Sequence, residues 1–252
     1  MYKNYDQIGW KEEEMEYFPK RKVNNNLSWK IHHIKGSFYS NKMQRTIEYE
    51  SMGECLFYFF LELAGQVKSY YVQPLEIEVP FMTEDGDKKH WVHVPDVLVF
   101  GDSIKPTIFQ IKEAPQESKK HTLINRACLR YAATREWDYK VIYPKALPEE
   151  VLYNIKFLNG FLKKRKSYDR WTQEINYRLK HMKEVTIHDL AYSFVTKINP
   201  LLIMPNIYYL IANGAIDIDI TKKINQFSEI RLNRLDKQLL PYLNLDGDIF
   251  AG

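Results

Sequence analysis

The feature that most limits the possible folds is a change in the spacing of apolar residues between residues 51 and 144. Residues 51–64 have helical spacing, with Ser51 as a typical N-cap, a broad apolar face, and Gly65 directly after them as a stop signal. From residue 67 to 113 the apolar positions recur every second residue, which is typical of β-strands. A chain that changes period in this way predicts a helix packed against a sheet.

The order of the remaining signals predicts the sheet type. After the first helix, we expect three strands over 67–81, 90–100 and 107–113, a helix over 117–137, a strand over 139–144 and a helix over 148–162. Asp85-Gly86 is a hairpin signal between the first two strands. Antiparallel strands followed by a crossover helix and one more strand predict an α/β fold with a mixed sheet flanked by helices.

A basic run at 163–166 predicts a domain boundary, so we expect one domain over 1–166 and a second over 167–252. In the second, the chain reads as three helices and then the strand segment AIDIDI, which returns as NQFSEIRL. Thr186 and Asp189 have the spacing of a capping box at the start of the middle helix. Helices followed by a small hairpin predict a winged-helix-like C-terminal domain.

Composition narrows the class of protein. The chain has 252 residues, of which 45% are hydrophobic, which excludes a disordered or low-complexity chain. The formal net charge of +4 is compatible with a nucleic-acid partner but does not establish one. Cys55 and Cys128 are too few for a disulfide framework, and we interpret them as buried hydrophobes in a reducing compartment. The first residues lack a signal-peptide core and the apolar stretch at 201–216 is interrupted, so we expect a soluble, intracellular protein without a membrane span.

Between Pro19 and Arg45 the chain mixes cations with aromatic residues and contains no acidic residue. Cations exchange with the counterions of a polyanion, and aromatic rings stack on bases, so this segment is a candidate DNA-binding surface. A solvated basic loop is the alternative. The candidate DNA-binding residues are Lys20, Arg21, Lys22, Lys30, Lys35, Lys42 and Arg45.

The pattern that indicates chemistry joins three distant segments. Asp96 follows Pro95 in the second expected strand, Gln110 and Lys112 lie two apart in the third, and Glu54 lies on the first helix. Residues two apart on a strand share a face, so Gln110 and Lys112 point together while Ile111 faces the core. If the turn at 101–106 pairs the two strands, Asp96 comes alongside Gln110. This arrangement predicts a cluster of oxygens and one cation at a sheet edge.

Such a cluster suits hydrolysis of a phosphodiester with the aid of Mg²⁺, which prefers carboxylates, water and phosphate as ligands. Asp96 would be the central ligand and Glu54 a second one, while the main-chain carbonyl of Ile111 completes the protein's share. Lys112 would orient the attacking water or stabilise the charged transition state. Each residue has a simpler interpretation: Glu54 as part of a capping box with Ser51, Asp96 as a turn residue, and Lys112 as an edge residue with its ammonium in solvent.

These residues resemble the PD-(D/E)XK nuclease superfamily and, within it, the TnsA-type endonuclease subunit of heteromeric transposases. The resemblance covers YESMGECLFYFFLELAGQVKSYYVQPLEI, VPDVLVF and IFQIK, and extends more weakly to PNIYYLIANGAIDIDI. Glu54 matches the family's helix glutamate, Asp96 its strand aspartate, Gln110 its glutamine and Lys112 its lysine. Most of the superfamily has a carboxylate at the position of Gln110, whereas the TnsA subgroup is similar to this chain in using Q-x-K.

The resemblance implies a restriction-endonuclease-like sheet and a catalytic set of Glu54, Asp96, Gln110 and Lys112. It also implies a Mg²⁺ site, in which Mn²⁺ substitutes, formed by Glu54, Asp96, Gln110 and the carbonyl of Ile111. A protein of this type cuts the 5′ ends of a mobile element and works with a DDE transposase subunit and an AAA+ ATPase regulator. It implies a cytoplasmic, bacterial protein that acts on the nucleoid.

Two other functions stay open at this point. A restriction or repair nuclease of the same fold would act alone, and a DNA-binding scaffold with a degenerate nuclease fold would have lost catalysis, with Gln110 as the mark of that loss. In the C-terminal domain, Asp217 and Asp219 would repel phosphate, and the candidate recognition helix from Met204 has no Lys or Arg. We therefore expect this domain to dock on protein, while the basic stretch 163–183 remains a second candidate for DNA contact.

Overall fold

The structure is a computed structural model that describes residues 15–20, 35–102, 104–115, 118–144 and 147–232. Its helices are α1 (Met52–Leu63), α2 (Lys119–Ala133), α3 (Glu149–Asn159), α4 (Tyr168–Met182), α5 (Ile187–Tyr192) and α6 (Pro200–Ala212). Its strands are β1 (Gly36–Ser40), β2 (Arg45–Tyr49), β3 (Val67–Val72), β4 (Ile77–Met82), β5 (Lys88–His93), β6 (Val97–Gly101), β7 (Ile104–Ile111), β8 (Asp138–Ile142), β9 (Val185–Thr186), β10 (Ile216–Ile218) and β11 (Glu229–Leu232).

The central sheet has four strands in the order β3-β6-β7-β8. The β3–β6 and β6–β7 pairs are antiparallel, and β8 joins β7 in parallel after the α2 crossover. A parallel neighbour needs such a crossover, since a tight turn reverses the chain direction. The prediction of an α/β fold with a mixed sheet flanked by helices is confirmed.

Alternate residues of the sheet belong to two different hydrophobic clusters. Val97, Val99, Phe109 and Ile111 face the cluster that contains residues of α1 and α3. Leu98 and Ile108 face the other cluster, which contains Ile124 and Cys128 of α2 and Leu75, Ile77 and Val79. The period-2 pattern thus places one helical layer on each side of the sheet.

The prediction of one continuous strand is wrong for two of the three segments expected between residues 67 and 113. The first is divided at Gln73, which has a φ of 51° and precedes Pro74, so β3 ends there and β4 belongs to a separate sheet. The second is divided at Val94-Pro95, where proline cannot donate to a ladder. The Asp85-Gly86 hairpin forms between β4 and β5, but as a separate two-stranded ladder. Asp96 therefore precedes β6 instead of lying within a strand.

A buried carboxylate fixes the β1–β2 hairpin to α1. Glu62 is 3% exposed and accepts hydrogen bonds from the hydroxyls of Ser40 and Tyr70 (2.7 Å for Tyr70) and from the amides of Asn41 (2.9 Å) and Lys42 (3.4 Å). These donors satisfy a charge that burial would otherwise make costly. The sequence did not predict this hairpin, because the only signal identified between Pro19 and Arg45 is the mixture of cations and aromatic residues.

The C-terminal part contains α4, α5 and α6 with a three-stranded antiparallel sheet in the order β10-β11-β9. The N-cap predicted for α5 is confirmed, since the amide of Asp189 donates to Thr186 Oγ1 at 3.0 Å. The second bond between the two residues runs from the Thr186 hydroxyl to Asp189 Oδ2 at 2.7 Å, and not from the Thr186 amide as in a full capping box. β10 ends earlier than AIDIDI suggests, because Asp219 accepts from the amide of Thr221 in a turn. Within the described ranges, none of the helices combines the length and apolar character needed to cross a bilayer.

Helix α3 contacts both α1 and the C-terminal part. Asn154 of α3 is 1% exposed, and its side chain donates to the carbonyls of Ile220 and Lys222 and accepts from the amide of Ile224. One hydrophobic cluster runs from α1 through α3 to α6. The expected division at residue 166 stays a prediction, and α3 is the element that connects the two sides of it.

Candidate metal centre

Asp96, Gln110 and Ile111 meet where β6 begins and β7 ends. The register pairs Val97 with Phe109, which places Asp96 opposite Gln110. Asp96 Oδ2 accepts a hydrogen bond from the side-chain amide of Gln110 and one from the main-chain amide of Ile111 at 2.6 Å. The pairing that brings Asp96 alongside Gln110, expected from the turn at 101–106, is therefore present.

Gln110 is held on both sides. Gln110 is only 3% exposed. Its side-chain Nε2 donates a hydrogen bond to Asp96, and its Oε1 lies 2.8 Å from His93 Nε2. In this orientation the carboxamide nitrogen, not the oxygen, faces Asp96. Gln110 ligates a cation beside Asp96 only after its amide turns over, which exchanges the positions of Nε2 and Oε1.

The end of β7 also positions Ile111 and Lys112. The amide of Lys112 donates to the carbonyl of Ile142 at 2.9 Å, so the ladder with β8 continues for one residue past the strand. The amide of Ile111 points the other way, towards Asp96, and the carbonyl of a strand residue lies on the same side as its amide. The Ile111 carbonyl is thus directed towards Asp96. Lys112 is half-buried, and within the described ranges its ammonium makes no ion pair.

Glu54 lies in the first turn of α1, above the end of β7. A Cβ atom added to the neighbouring Gly53 would lie 3.5 Å from Ile111 Cγ2, which shows how closely the helix approaches this strand. Glu54 also caps its own helix: its amide donates to Ser51 Oγ at 3.1 Å and its carboxylate accepts from the amide of Glu50 at 2.8 Å. The capping interpretation of Glu54 therefore holds, and it does not exclude a ligand role for the same carboxylate.

Tyr58 relates Glu54 to Asp96. Its hydroxyl is fully buried, and desolvation by burial raises its pKa well above the usual 10, with further contributions from the nearby charges of Glu54 and Asp96. Both carboxylates therefore act on the same buried hydroxyl from different elements. Tyr58 and His93 were missed by the sequence reasoning. The available signals were the spacing of four residues from Glu54 to Tyr58, and the position of His93 three residues before Asp96.

The donor set fits a hard divalent cation. It offers carboxylate oxygens from Glu54 and Asp96, a main-chain carbonyl from Ile111 and an amide oxygen from Gln110, all of the kind that Mg²⁺ prefers. In the described part of the chain, no three His, Cys, Asp or Glu side chains form a metal-binding group. A site of this composition would therefore hold its ion with two carboxylates and with oxygens that carry no formal charge.

The candidate DNA-binding residues fall into three groups. Lys20 is exposed, Lys35 is half-buried, and the guanidinium of Arg45 lies 5.4 Å from the ring centre of Tyr71. Lys42 is used inside the fold, because its ammonium donates to the carbonyls of Leu61 (2.7 Å) and Ala64 at the end of α1. This contact makes Lys42 a helix cap and weakens the prediction that it contacts DNA. Arg21, Lys22 and Lys30 lie outside the described residues.

The two cysteines are free and buried, as predicted. Burial raises the pKa of the Cys128 thiol to about 12, with a further increase from the charge of Asp96. Burial also raises the pKa of Cys55. Both side chains are therefore protonated thiols at neutral pH in the metal-free protein.

A separate groove of about 710 Å³ lies between the β1–β2 hairpin, α1 and α3. It is lined by Phe38, Tyr39, Asn41, Phe59, Lys156, Asn159, Gly160 and Lys163. Among the described residues, its lining contains two lysines and no acidic side chain, and Tyr39 is 56% exposed. None of the residues expected to bind metal lines this groove, so it is a surface distinct from the candidate centre.

No protein-family model matches the chain, and no curated protein is significantly similar to it in sequence.

Proposed function

We propose that the protein is a metal-dependent DNA endonuclease, and that it serves as the TnsA-like subunit of a heteromeric transposase, cutting the 5′ ends of a mobile element. The observation that carries the proposal is the meeting of Asp96 with Gln110 and the amide of Ile111 at the end of β7. The approach of α1 to Ile111 brings Glu54 to the same end of the sheet. Three segments distant in sequence would thus supply the oxygen ligands and the lysine of one site.

The chain's own residues would divide the work. When bound, Mg²⁺ would neutralise phosphate charge and activate water for attack on phosphorus. Asp96 and Glu54 would hold it, with the Ile111 carbonyl and, after the amide turn described above, Gln110. Lys112 is the half-buried cation at the same strand end, and it would orient the attacking water or stabilise negative charge in the transition state.

The groove and the basic hairpin would provide the path of the DNA. Phe38 and Tyr39 combine with Lys156 and Lys163 in one concave surface. Lysines pair with phosphates and aromatic rings stack on bases, which suits a strand that leaves the duplex near the cut. Lys20, Lys35 and Arg45 would add cations outside the groove, and the modest net charge of +4 agrees with an enzyme that a partner brings to its DNA.

The C-terminal part, which we interpret as winged-helix-like, would dock on protein. Asp217 already pairs with Arg231 at 2.8 Å, so the hairpin offers little free positive charge to phosphate. On α6, Leu201 and Leu202 are 67% and 66% exposed. An exposed apolar pair favours a protein partner, for which the DDE transposase subunit and the AAA+ ATPase regulator are the candidates.

The test is a nicking assay on a plasmid that carries the transposon ends, with Mg²⁺ or Mn²⁺ and with the transposase subunit added or omitted. We expect nicking at the 5′ ends only when the partner is present, and none with Asp96→Asn or Lys112→Ala. Cleavage by the purified protein alone would favour a stand-alone restriction or repair nuclease. Wild-type rates in either variant would remove Asp96 and Lys112 from the catalytic set.

One observation favours a second candidate, a non-catalytic DNA-binding scaffold. Gln110 presents its amide nitrogen to Asp96, and the Glu54 carboxylate is engaged in capping α1. Both contacts form without a metal ion and stabilise the fold by themselves. A titration with Mn²⁺ separates the candidates, since a scaffold shows no binding that depends on Asp96.

A further inference from the structure

One buried hydroxyl in the core has no hydrogen-bond partner in the described part of the chain. Tyr58 is 0% exposed, and its hydroxyl oxygen makes no hydrogen bond there. A buried polar group without a partner costs about 1–3 kcal/mol, and native proteins keep few of them. A phenylalanine would fill the same space without this cost, so the hydroxyl itself calls for an explanation.

The position of Tyr58 indicates what the hydroxyl serves. It follows Glu54 by four residues on α1, so the two side chains lie on one face of the helix, one turn apart. The charges of Glu54 and Asp96 both act on the hydroxyl, together with the weaker effects of Tyr70 and Glu50. Of these two carboxylates, Glu54 is the one that the helix spacing places next to Tyr58.

The surrounding core fixes the direction of the Tyr58 side chain. Its ring stacks on the ring of Tyr70 with centroids 6.0 Å apart, and Tyr70 is itself held by the hydrogen bond from its hydroxyl to Glu62 at 2.7 Å. Both rings are fully buried in the same packed layer. A tyrosine fixed in this way cannot turn its hydroxyl towards solvent, so its donor stays directed at the interior.

We propose that Tyr58 is a positioning residue of the candidate metal centre: its hydroxyl, which has no hydrogen-bond partner in the described structure, becomes the donor to the Glu54 carboxylate when that carboxylate binds a divalent cation beside Asp96. The inference rests on the proposed function. A donor of this kind fixes the orientation of ligand oxygens, as partners in the outer shell of metal sites do. It remains a donor at neutral pH, because burial and the adjacent carboxylates favour the protonated phenol.

Tyr70 provides a matched control. Tyr58→Phe and Tyr70→Phe each remove one hydroxyl from the same buried, stacked pair, but only the Tyr70 hydroxyl has a partner within the fold. The experiment is isothermal titration of the metal-free, full-length protein with Mn²⁺, combined with thermal unfolding without metal. Wild type, Tyr58→Phe, Tyr70→Phe and Asp96→Asn are compared.

We expect Tyr58→Phe to bind Mn²⁺ about 10- to 100-fold more weakly than wild type while its metal-free melting temperature is unchanged or higher. Tyr70→Phe should show the reverse, with a lower melting temperature and wild-type affinity. Wild-type affinity in Tyr58→Phe overturns the inference, and so does a fall in its metal-free melting temperature as large as that of Tyr70→Phe. If the wild type shows no Mn²⁺ binding that Asp96→Asn removes, the proposed function itself fails.

Discussion

Replacing Asp96 should affect stability as well as catalysis, and two substitutions separate the effects. Asp96→Ala leaves the amide of Ile111 and the side-chain amide of Gln110 without their acceptor, and both residues are largely buried. At about 1–3 kcal/mol for each of the two unpaired donors, we expect the free energy of unfolding to fall by about 2–6 kcal/mol. Asp96→Asn keeps an oxygen for both donors and loses only the contribution of the charge, about 1–2 kcal/mol.

The assay is urea denaturation of the metal-free protein, in which the midpoint moves while the slope stays constant. Asp102→Ala is the control, because Asp102 is an exposed carboxylate paired with Lys68 at 2.5 Å, and loss of such a pair should change stability by less than about 1 kcal/mol. Equal losses for Asp96→Ala and Asp96→Asn would refute the reasoning, since they would show that the acceptor oxygen is not what matters. For the same reason, nicking assays should rely on the asparagine variant.

The other expected outcomes concern the residues around the site and the C-terminal part. Lys42→Met should lower the free energy of unfolding by about 1–3 kcal/mol in urea through the loss of a charged helix cap, and an unchanged stability with weaker DNA binding would contradict this role. Glu62→Ala should lower the free energy of unfolding by about 4 kcal/mol or more in the same assay, because four donors lose their acceptor at about 1 kcal/mol or more each; a loss below about 1 kcal/mol would show that other contacts hold the hairpin. Hydrogen bonds from Lys197 and Arg178 lower the pKa of Glu174, so its stabilising effect is present above its unfolded pKa of about 4.3 and is lost as pH falls through the lower folded pKa. Glu174→Gln should therefore flatten the acid side of the stability profile, which parallel acid limbs would disprove. Exchange of the three cations at 20–22 for glutamine should weaken DNA binding and reduce the slope of log affinity against log salt by at most about 3, whereas an unchanged slope would identify a solvated loop.

Local rules predicted the elements that depend on short-range signals. Ser51 starts α1, Thr186 starts α5, and the Asp85-Gly86 turn forms a hairpin as expected. Side chains and backbone within a few residues decide these features, so one sequence contains the necessary information. The crossover from β7 through α2 to β8 was predictable for the same reason.

The division of the strands was not predictable from alternation alone. The alternation of apolar residues continues through Gln73 and Pro95, although a strand is interrupted at each of them. The pairing of β3 with β6 is what shows where each ladder ends. For the site, alternation predicted that Asp96 and Gln110 lie together. It could not show that the Gln110 amide nitrogen faces Asp96, because that orientation depends on His93, a residue of a different ladder.

The central claim is that Glu54 and Asp96 hold one divalent cation at the end of β7, beside Lys112. The most direct measurement is the anomalous difference map of a crystal of the full-length protein soaked in Mn²⁺. We expect a single peak within bonding distance of both carboxylates, at about 2.0–2.3 Å, with the Lys112 ammonium on the same side of the sheet. A peak bound to neither carboxylate, or none in a crystal soaked at saturating Mn²⁺, would contradict the central claim.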